Sequence, residues 1–329
     1  MIKKHGLIWS VLFLLVLGFN TPLYAGQKWD MPLAYAASNY HSENCTRFAE
    51  AVTAATGGDI EIVTHASGSL FPGGEIFRAV RTGQAPIGER LISALGNEDP
   101  IFDVDALPFL ATSFEDAWNL YQASKPAMSK VLESKGVKLL FAVPWPPQGL
   151  YSKNEVNSAA DMKGVKFRAY NQATSRLAEL MGAVPTKIEA AELSQAFATG
   201  VADSMISSGA TGYDRKIWEQ GVKYWYDVQA WLPKNMVIVN LEAWNKLDDK
   251  NRAIILGAAA MAEKTGWAKA QELADWYKQQ LADHGMTVEP PSDQLRSDFE
   301  KIGQTMTDEW LKRAGDEGKE VIQAYHDMQ

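Results

Sequence analysis

Short apolar segments alternate along this chain with longer segments of helical character, and no other feature constrains its fold as much. Residues 59–63 alternate polar and apolar side chains, which is typical of a strand, and they follow a predicted helix over 42–56. The segment 137–143 is almost entirely apolar, as expected of a strand buried on both faces. Further short strands are predicted over 165–168 and 236–240. The alternation predicts an α/β protein.

The last third of the chain is mostly helical in pattern. Residues 249–283 contain no proline and predict one long helix, and the consecutive prolines Pro290 and Pro291 end that region. Residues 293–327 predict the final helices. Because a chain of this length exceeds the size of most single domains, we expect two domains.

A short sequence pattern occurs twice. Residues 79–87 read A-V-R-T-G-Q-A-P-I, and residues 196–204 read A-F-A-T-G-V-A-D-S. Each predicts a helix that ends at a Thr-Gly pair, with the glycine in the left-handed conformation, followed by a strand. The repeat predicts two similar lobes, each with its own sheet; the alternative is a chance similarity of two ordinary turns. Since ligands of open α/β sheets bind beyond the carboxyl ends of strands, we expect 88–91 and 206–208 to face a cleft between the lobes.

The N-terminus has the layout of a secretory signal peptide. Lys3 and Lys4 precede an apolar run over 7–19, and small residues lead to a predicted cleavage site after Ala25. The run of about 13 residues is shorter than the ~20 that span a bilayer as a helix, which disfavours the alternative of an uncleaved anchor. We therefore expect 1–25 to be a signal peptide that directs the protein to the periplasm.

Composition narrows the function further. The net charge is −8 and no basic stretch stands out, so nucleic acid is not an expected partner. Cys45 is the only cysteine, so no internal disulfide can form, and its helix-like setting predicts a small buried apolar group. Metal-ligand spacings, phosphate-binding loops and hydrolase motifs do not occur. This pattern favours a binding protein over an enzyme and predicts no cofactor and no metal.

Arg168 is the strongest candidate for ligand binding. It ends an apolar strand and is followed by a helix predicted to begin near Ala173. An arginine at such a strand end can hold a carboxylate through two parallel hydrogen bonds, and a helix N-terminus adds partial positive charge. The alternative from these residues alone is a structural ion pair.

Two predicted crossings between the lobes carry aromatic residues. The segment 145–149 reads W-P-P-Q-G, and its two prolines hold the chain extended. Trp225, Tyr226 and Trp231 flank a second crossing that ends at 232–235. Such rings either line a pocket for a flat apolar group or pack in the core.

These motifs together resemble a known family. The chain reads R-A-V-R-T-G at 78–83, L-P-F-L at 107–110, D-M-K-G-V-K-F-R at 161–168, G-A-V-P at 182–185 and E-L-S-Q-A-F-A-T-G-V-A-D at 192–203. In this combination, over essentially the whole mature chain, it resembles the solute-binding subunits of tripartite ATP-independent periplasmic (TRAP) transporters, the DctP family.

The resemblance implies a periplasmic-binding-protein-like fold of two α/β lobes, with crossing strands and a long helix that spans both lobes. We expect lobe I over 27–145 and 233–272, and lobe II over 146–232 and 273–329. In this family the arginine that ends the K-x-R strand binds the ligand carboxylate, and it matches Arg168. The implied protein is a monomer that hands a small organic acid to TRAP permease membrane subunits, with uptake driven by an ion gradient.

Two departures from the family bear on the ligand. Sialic-acid binders have a second arginine just after the crossing tryptophan, where this chain has Gln148. They also have Gln-Glu-Asn-Pro at the point where this chain reads S-M-I-S-S-G over 204–209. Arg90 could restore a second cationic contact. Because a buried second carboxylate needs its own partner, we expect a monocarboxylate. Phe71, Trp145, Tyr213 and Trp231 favour an aromatic body, so we expect an aromatic 2-oxo, 2-hydroxy or amino acid.

The predicted ligand-binding residues come from both lobes and both crossings, and lobe closure is expected to bend the chain near 145–148 and 232–235. They are Phe71, Arg90, Trp145, Gln148, Arg168, Tyr170, Asn171, Ser207, Ser208, Tyr213, Trp231 and Asn235. Competing hypotheses are a binding protein for C4-dicarboxylates or sugar acids, a receptor that signals, and an exported enzyme that acts on a carboxylate through Glu89 or Asp203.

Overall fold

The computed structural model describes residues 26–329, so the predicted signal peptide over 1–25 lies outside the described residues. The strands, in chain order, are β1 (Gln27–Pro32), β2 (Ile60–His65), β3 (Ile87–Leu91), β4 (Val137–Pro144), β5 (Gln148–Ser152), β6 (Lys166–Ala169), β7 (Val184–Lys187), β8 (Ser204–Ser208), β9 (Tyr224–Tyr226), β10 (Lys234–Asn240) and β11 (Thr287–Glu289). The α-helices are α1 (Tyr40–Ala55), α2 (Ile76–Arg81), α3 (Phe114–Ser134), α4 (Gln172–Leu180), α5 (Leu193–Ala198), α6 (Gly209–Asp214), α7 (Leu241–Asn245), α8 (Asp249–Asp283) and α9 (Asp293–His326).

The strands form separate sheets for the two lobes. In lobe I, β1 and β2 are a parallel pair, and β10 lies between β3 and β4 in an antiparallel sheet. Strand β1 also packs beside β3, which joins these two sheets. In lobe II, six strands form one mixed sheet in the order β11-β9-β5-β8-β6-β7. The predicted two-lobed α/β class is confirmed.

The chain passes between the lobes through two segments that pair with each other. Trp145 N donates to Pro233 O at 2.7 Å, and Gln148 N donates to Trp231 O at 3.0 Å. Ala230 N donates to Gln148 O at 3.0 Å. The antiparallel pairing of β4 with β10 therefore continues across the gap between the sheets, and the two predicted crossings lie side by side.

The long helix α8 spans both lobes. Its 35 residues extend for about 50 Å and have the predicted bounds. Ile255 and Ala259 near its start pack in the same core cluster as Trp29, whereas Leu281 near its end packs with Trp225. Within residues 26–329, neither this helix nor any other combines the length and apolar character needed to cross a bilayer.

The last helix, α9, contacts both lobes. Phe299 in its first half packs in the lobe II core, whereas Trp310 and Tyr325 in its second half pack with Phe102 in the lobe I core. Gly315 interrupts the helix with φ 62° and ψ −139°. The prediction that all of 273–329 belongs to lobe II does not match this packing, because an amphipathic pattern does not show which of two cores a helix meets. The other predicted lobe boundaries stay predictions.

The repeated Thr-Gly pattern forms the same local structure in both lobes. Gly83 follows α2 with φ 73°, and Gly200 follows α5 with φ 69°. The next strands are β3 in the lobe I sheet and β8 in the lobe II sheet. The predicted helix, glycine cap and strand are confirmed at both sites, and Cys45 is buried as predicted.

Two glycines in α8 have opposite surroundings and give a matched test of its packing. A Cβ at Gly266 would clash with the Val143 side chain and come within 3.0 Å of Asn44 Nδ2, so the helix meets β4 closely here. A Cβ at Gly257 would meet no atom within 4 Å.

We expect Gly266→Ala to lower the free energy of unfolding by about 1–3 kcal/mol because the added methyl overpacks the core. Gly257→Ala should raise it by up to about 1 kcal/mol because alanine favours the helix. Urea denaturation of both variants measures the difference. Equal stabilisation by the two substitutions would show that α8 does not pack closely on β4.

Candidate ligand-binding site

A small pocket with a cavity volume of about 40 Å³ lies between the two lobes. Strands β3, β6 and β8 contribute side chains near their carboxyl ends. The lining residues are Tyr35, Arg90, Leu91, Trp145, Gln148, Arg168, Tyr170, Glu189, Ala190, Ser207, Ser208, Thr211 and Pro233.

Arg168 presents a buried guanidinium to this pocket. It is 3 % exposed, and its Nε donates to Ile188 O at 3.0 Å, which fixes the plane of the group. The Tyr170 ring lies beneath it, with its centroid 5.0 Å from Cζ. Among residues 26–329, no carboxylate forms an ion pair with Arg168, and burial lowers its pKa from the ordinary value. A buried cation without a partner favours binding of an anion.

Tyr170 is held in place by hydrogen bonds on the far side from the arginine. Trp231 Nε1 donates to the Tyr170 hydroxyl at 3.2 Å, and this hydroxyl donates to Gln148 Oε1 at 3.3 Å. Gln148 Nε2 in turn donates to Pro146 O at 3.2 Å. Burial raises the pKa of Tyr170, so the phenol stays neutral. The crossing segments thus fix the platform under Arg168.

Arg90 is the second cation of the pocket, and a carboxylate accompanies it. Arg90 is 5 % exposed, and its Nη2 lies 3.7 Å from Glu189 Oε1. Arg90 comes from β3 of lobe I and Glu189 from the segment after β7 of lobe II, so this ion pair crosses the cleft. Tyr35, from the segment after β1, also lines the pocket, and burial raises its pKa.

Behind the pocket, a chain of buried polar groups holds Trp145. Its Nε1 donates to Asn235 Oδ1 at 2.8 Å, and Asn235 Nδ2 donates to Glu89 Oε1 at 2.6 Å. His41 Nδ1 lies 3.8 Å from the same Glu89 oxygen. Burial raises the pKa of Glu89 to about 7, although the hydrogen bond from Asn235 acts to lower it. Burial also keeps the pKa of His41 well below its usual value. The indole therefore has a fixed orientation.

Seven of the predicted ligand-binding residues line the pocket, and five do not. The seven are Arg90, Trp145, Gln148, Arg168, Tyr170, Ser207 and Ser208. The role of each in binding stays a prediction.

The other five have identifiable structural contacts. Asn171 caps α4 by accepting from Thr174 N, and Asn235 and Trp231 hold the pocket residues Trp145 and Tyr170 from behind. Tyr213 packs against Trp276 on α8, and Phe71 packs against the lobe I core. The three aromatic positions were predicted from residue type, and Asn171 and Asn235 from their nearness to Arg168 and to a crossing; neither criterion fixes the direction of a side chain.

The sequence-based prediction missed six lining residues, of which Tyr35 and Glu189 are the most polar. Each follows a strand that runs parallel to its neighbour: β1 for Tyr35 and β7 for Glu189. The rule that ligands bind beyond the carboxyl ends of strands could have identified both, but neither strand was predicted from the sequence.

The residues considered for catalysis lie elsewhere. Glu89 is not part of the pocket wall, and Asp203 forms an ion pair of 3.0 Å with Lys153. In the part of the chain that the structure describes, no three His, Cys, Asp or Glu side chains converge as a metal site. Two α/β lobes that meet over a buried arginine, with no ion-pair partner among residues 26–329, are the arrangement expected of a two-lobed solute-binding protein.

Comparison with known proteins agrees with that class. Residues 34–313 match the family described as bacterial extracellular solute-binding protein, family 7 (DctP), and the chain belongs to this family. The family predicted from the motifs is thereby confirmed.

Two crystal structures similar to this chain are of proteins that bind the same ligand, pyroglutamate. DctP6 of Bordetella pertussis, an extracytoplasmic solute receptor that binds pyroglutamic acid, is 47 % identical with a TM-score of 0.90, covering 92 % of this chain and 100 % of that one. A marine metagenome TRAP solute-binding protein specific for pyroglutamate is 49 % identical with a TM-score of 0.90, covering 92 % and 99 %. A monocarboxylate 2-oxoacid-binding periplasmic protein of Nostoc sp. is 24 % identical over 283 residues, 84 % of this chain and 77 % of that protein.

The raised pKa of Glu89 predicts a pH dependence of stability. Its ordinary value of 4.5 rises to about 7 in the folded protein, so folding favours the protonated form. This contribution to stability is fully present below about pH 4.5 and is lost as the pH rises through about 7.

We expect Glu89→Gln, which stays neutral, to gain up to about 3 kcal/mol relative to the unsubstituted protein between pH 4.5 and pH 8. Urea denaturation across this range measures the difference. Glu61→Gln, at an exposed position of β2, is the control and should leave the shape of the profile unchanged. Parallel profiles for Glu89→Gln and the unsubstituted protein would contradict the assignment.

Proposed function

We propose that this protein captures a small cyclic monocarboxylate of the pyroglutamate type in the periplasm and delivers it to the membrane subunits of a TRAP transporter. The observation that carries the proposal is the buried guanidinium of Arg168, which lines the inter-lobe pocket without an ion-pair partner among the described residues. The two crystal structures of 47 % and 49 % identity, both of pyroglutamate-binding proteins, support this ligand class.

The polar groups of the pocket fit such a ligand. A planar carboxylate matches the planar guanidinium of Arg168 through two parallel hydrogen bonds. A lactam ring has one N–H donor and one carbonyl acceptor beside its carboxylate. The carboxylate of Glu189 can accept from the N–H, and Arg90 or the hydroxyls of Ser207 and Ser208 can donate to the carbonyl.

The aromatic body predicted from the sequence is less well supported than a compact ring. That prediction relied on Phe71, Trp145, Tyr213 and Trp231, and of these only Trp145 lines the pocket. The indole of Trp145 already packs against His41, with ring centroids 4.2 Å apart, so one of its faces is covered. We therefore propose a small saturated ring or a short 2-oxo acid as the ligand body.

Delivery follows from lobe movement in this proposal. The open lobes admit the acid, Arg168 binds its carboxylate, and closure brings Arg90 and Glu189 together across the cleft. The chain bends at the crossings near 145–148 and 232–235. The protein acts as a monomer after export by the signal peptide over 1–25, and an ion gradient drives uptake through the permease.

We expect Arg168→Ala to weaken binding of L-pyroglutamate by about 2–5 kcal/mol, because the ligand carboxylate would be buried without its partner. Arg168→Lys keeps the charge but loses the planar guanidinium, so its affinity should lie between those of Arg168→Ala and the unsubstituted protein. Isothermal titration calorimetry of refolded protein, freed of any co-purified ligand, measures the loss.

Arg47→Gln is the control, since Arg47 lies on the exposed side of α1 with its side chain 54 % exposed. It should bind as the unsubstituted protein does. Full affinity in Arg168→Ala would refute the carboxylate contact. A thermal-shift screen that responds to C4-dicarboxylates, uronates or aromatic acids but not to pyroglutamate would refute the ligand class, and conversion of the ligand would indicate an enzyme.

A further inference from the structure

We infer that Glu189 sets the charge of the pocket so that it accepts monoanions and rejects dianions of similar size. The inference rests on the proposed function, because it concerns the selectivity of the same site. It assigns to Glu189 a role in specificity that is separate from the carboxylate contact of Arg168.

The pocket contains two cations and one anion. Arg90 and Arg168 are 5 % and 3 % exposed, and both line the same cavity from opposite lobes. Glu189 is the carboxylate in the same wall, with Oε1 3.7 Å from Arg90 Nη2. Its backbone neighbour Ile188 accepts the hydrogen bond from Arg168 Nε, so the segment after β7 contacts both arginines. Two guanidinium groups and one carboxylate leave a single net positive charge.

The backbone of Gly73 and Gly74 lies beside the ion pair of Arg90 and Glu189. A Cβ at Gly73 would lie 3.3 Å from Arg90 Nη1 and 3.5 Å from Glu189 Oε2, and one at Gly74 would lie 3.5 Å from Glu189 Oε1. These two glycines therefore cover the pair closely without side chains. The Arg90 side chain is buried and the Glu189 side chain is 34 % exposed, so the charges of the pair act more strongly on a ligand than two fully exposed charges would.

The position of Glu189 is fixed locally. It precedes the one-turn helix Ala190–Glu192, and its backbone N donates to Glu192 Oε2 at 3.4 Å. Arg90 Nε has no partner among the described residues, so this arginine keeps a donor for a second polar group of the ligand. A neutral carbonyl can accept that bond, but a second carboxylate would meet Glu189 at short range.

The consequence for selectivity follows from charge. One monoanion neutralises the single net positive charge of the pocket, whereas a dianion leaves an uncompensated buried negative charge. Glu89, next to Arg90 in β3, is not part of the pocket wall because it points to Asn235 on the opposite face. Glu189 is therefore the residue whose neutralisation should admit a dianion.

The test compares two five-carbon acids, L-pyroglutamate as the monoanion and glutarate as the dianion, by isothermal titration calorimetry at one pH and ionic strength. We expect Glu189→Gln to lower the ratio of the Kd for glutarate to the Kd for L-pyroglutamate by about tenfold or more. The double variant Arg90→Gln/Glu189→Gln restores the single net positive charge of the pocket, so it should raise the ratio again. Glu61→Gln, an exposed carboxylate on β2, should leave the ratio unchanged.

The outcomes separate the inference from the proposed function. If the unsubstituted protein does not bind L-pyroglutamate, the proposed function and this inference both fail. If it binds, but Glu189→Gln keeps the same ratio, only the inference fails. Loss of both acids in Glu189→Gln, with an unchanged circular dichroism spectrum and melting temperature, would show that a direct contact of Glu189, and not its charge, governs binding, and would also overturn the inference.

Discussion

The burial of the Arg168 cation is the constraint on which the site depends. A guanidinium that is 3 % exposed has lost most of its hydration, and one hydrogen bond to Ile188 O and the ring of Tyr170 replace only part of it. Lobe II tolerates this cost because the cation lies at the end of β6, next to the start of α4, where the polypeptide is held by the sheet and by the Asn171 cap. An anion bound in the proposed way would replace more of that hydration, which would couple stability to ligand binding at this residue.

The paired crossings determine how the two lobes can meet over that cation. Pro146 and Pro147 stiffen one crossing and Pro233 the other, and backbone hydrogen bonds tie the two together. Lys234 anchors the second crossing to lobe I, because its N donates to Asp105 Oδ2 at 2.9 Å and its Nζ lies 3.6 Å from the same oxygen. These contacts fix the paths of both crossings between the sheets. The helix α8, which packs on both cores, adds a second connection beside them.

The sequence predicted those features whose cause is local. A strand end followed by a helix start placed Arg168 correctly, and the Thr-Gly pairs predicted the left-handed glycines at positions 83 and 200, because each depends on only a few consecutive residues. The uninterrupted pattern of α8 likewise gave its bounds. The positions of Glu189 and Tyr213 depend on tertiary packing, which a sequence pattern does not show. Glu189, which was not predicted, lies next to Arg90 of the other lobe, and Tyr213 packs against Trp276 of α8.

The aromatic residues around the pocket act mainly as a frame, and this affects which ligands are selected. The Trp231 indole donates a hydrogen bond to the Tyr170 hydroxyl, which donates to Gln148. The Trp145 indole donates to Asn235 and packs against His41. Rings fixed in this way offer edges and limited faces, so stacking contributes little to discrimination among ligands. What differs from one acid to another is then the number of charges and the positions of donors and acceptors. The rigid frame holds these groups in place, and under the inferred charge balance a ligand with a second carboxylate would be rejected by charge even when its size fits.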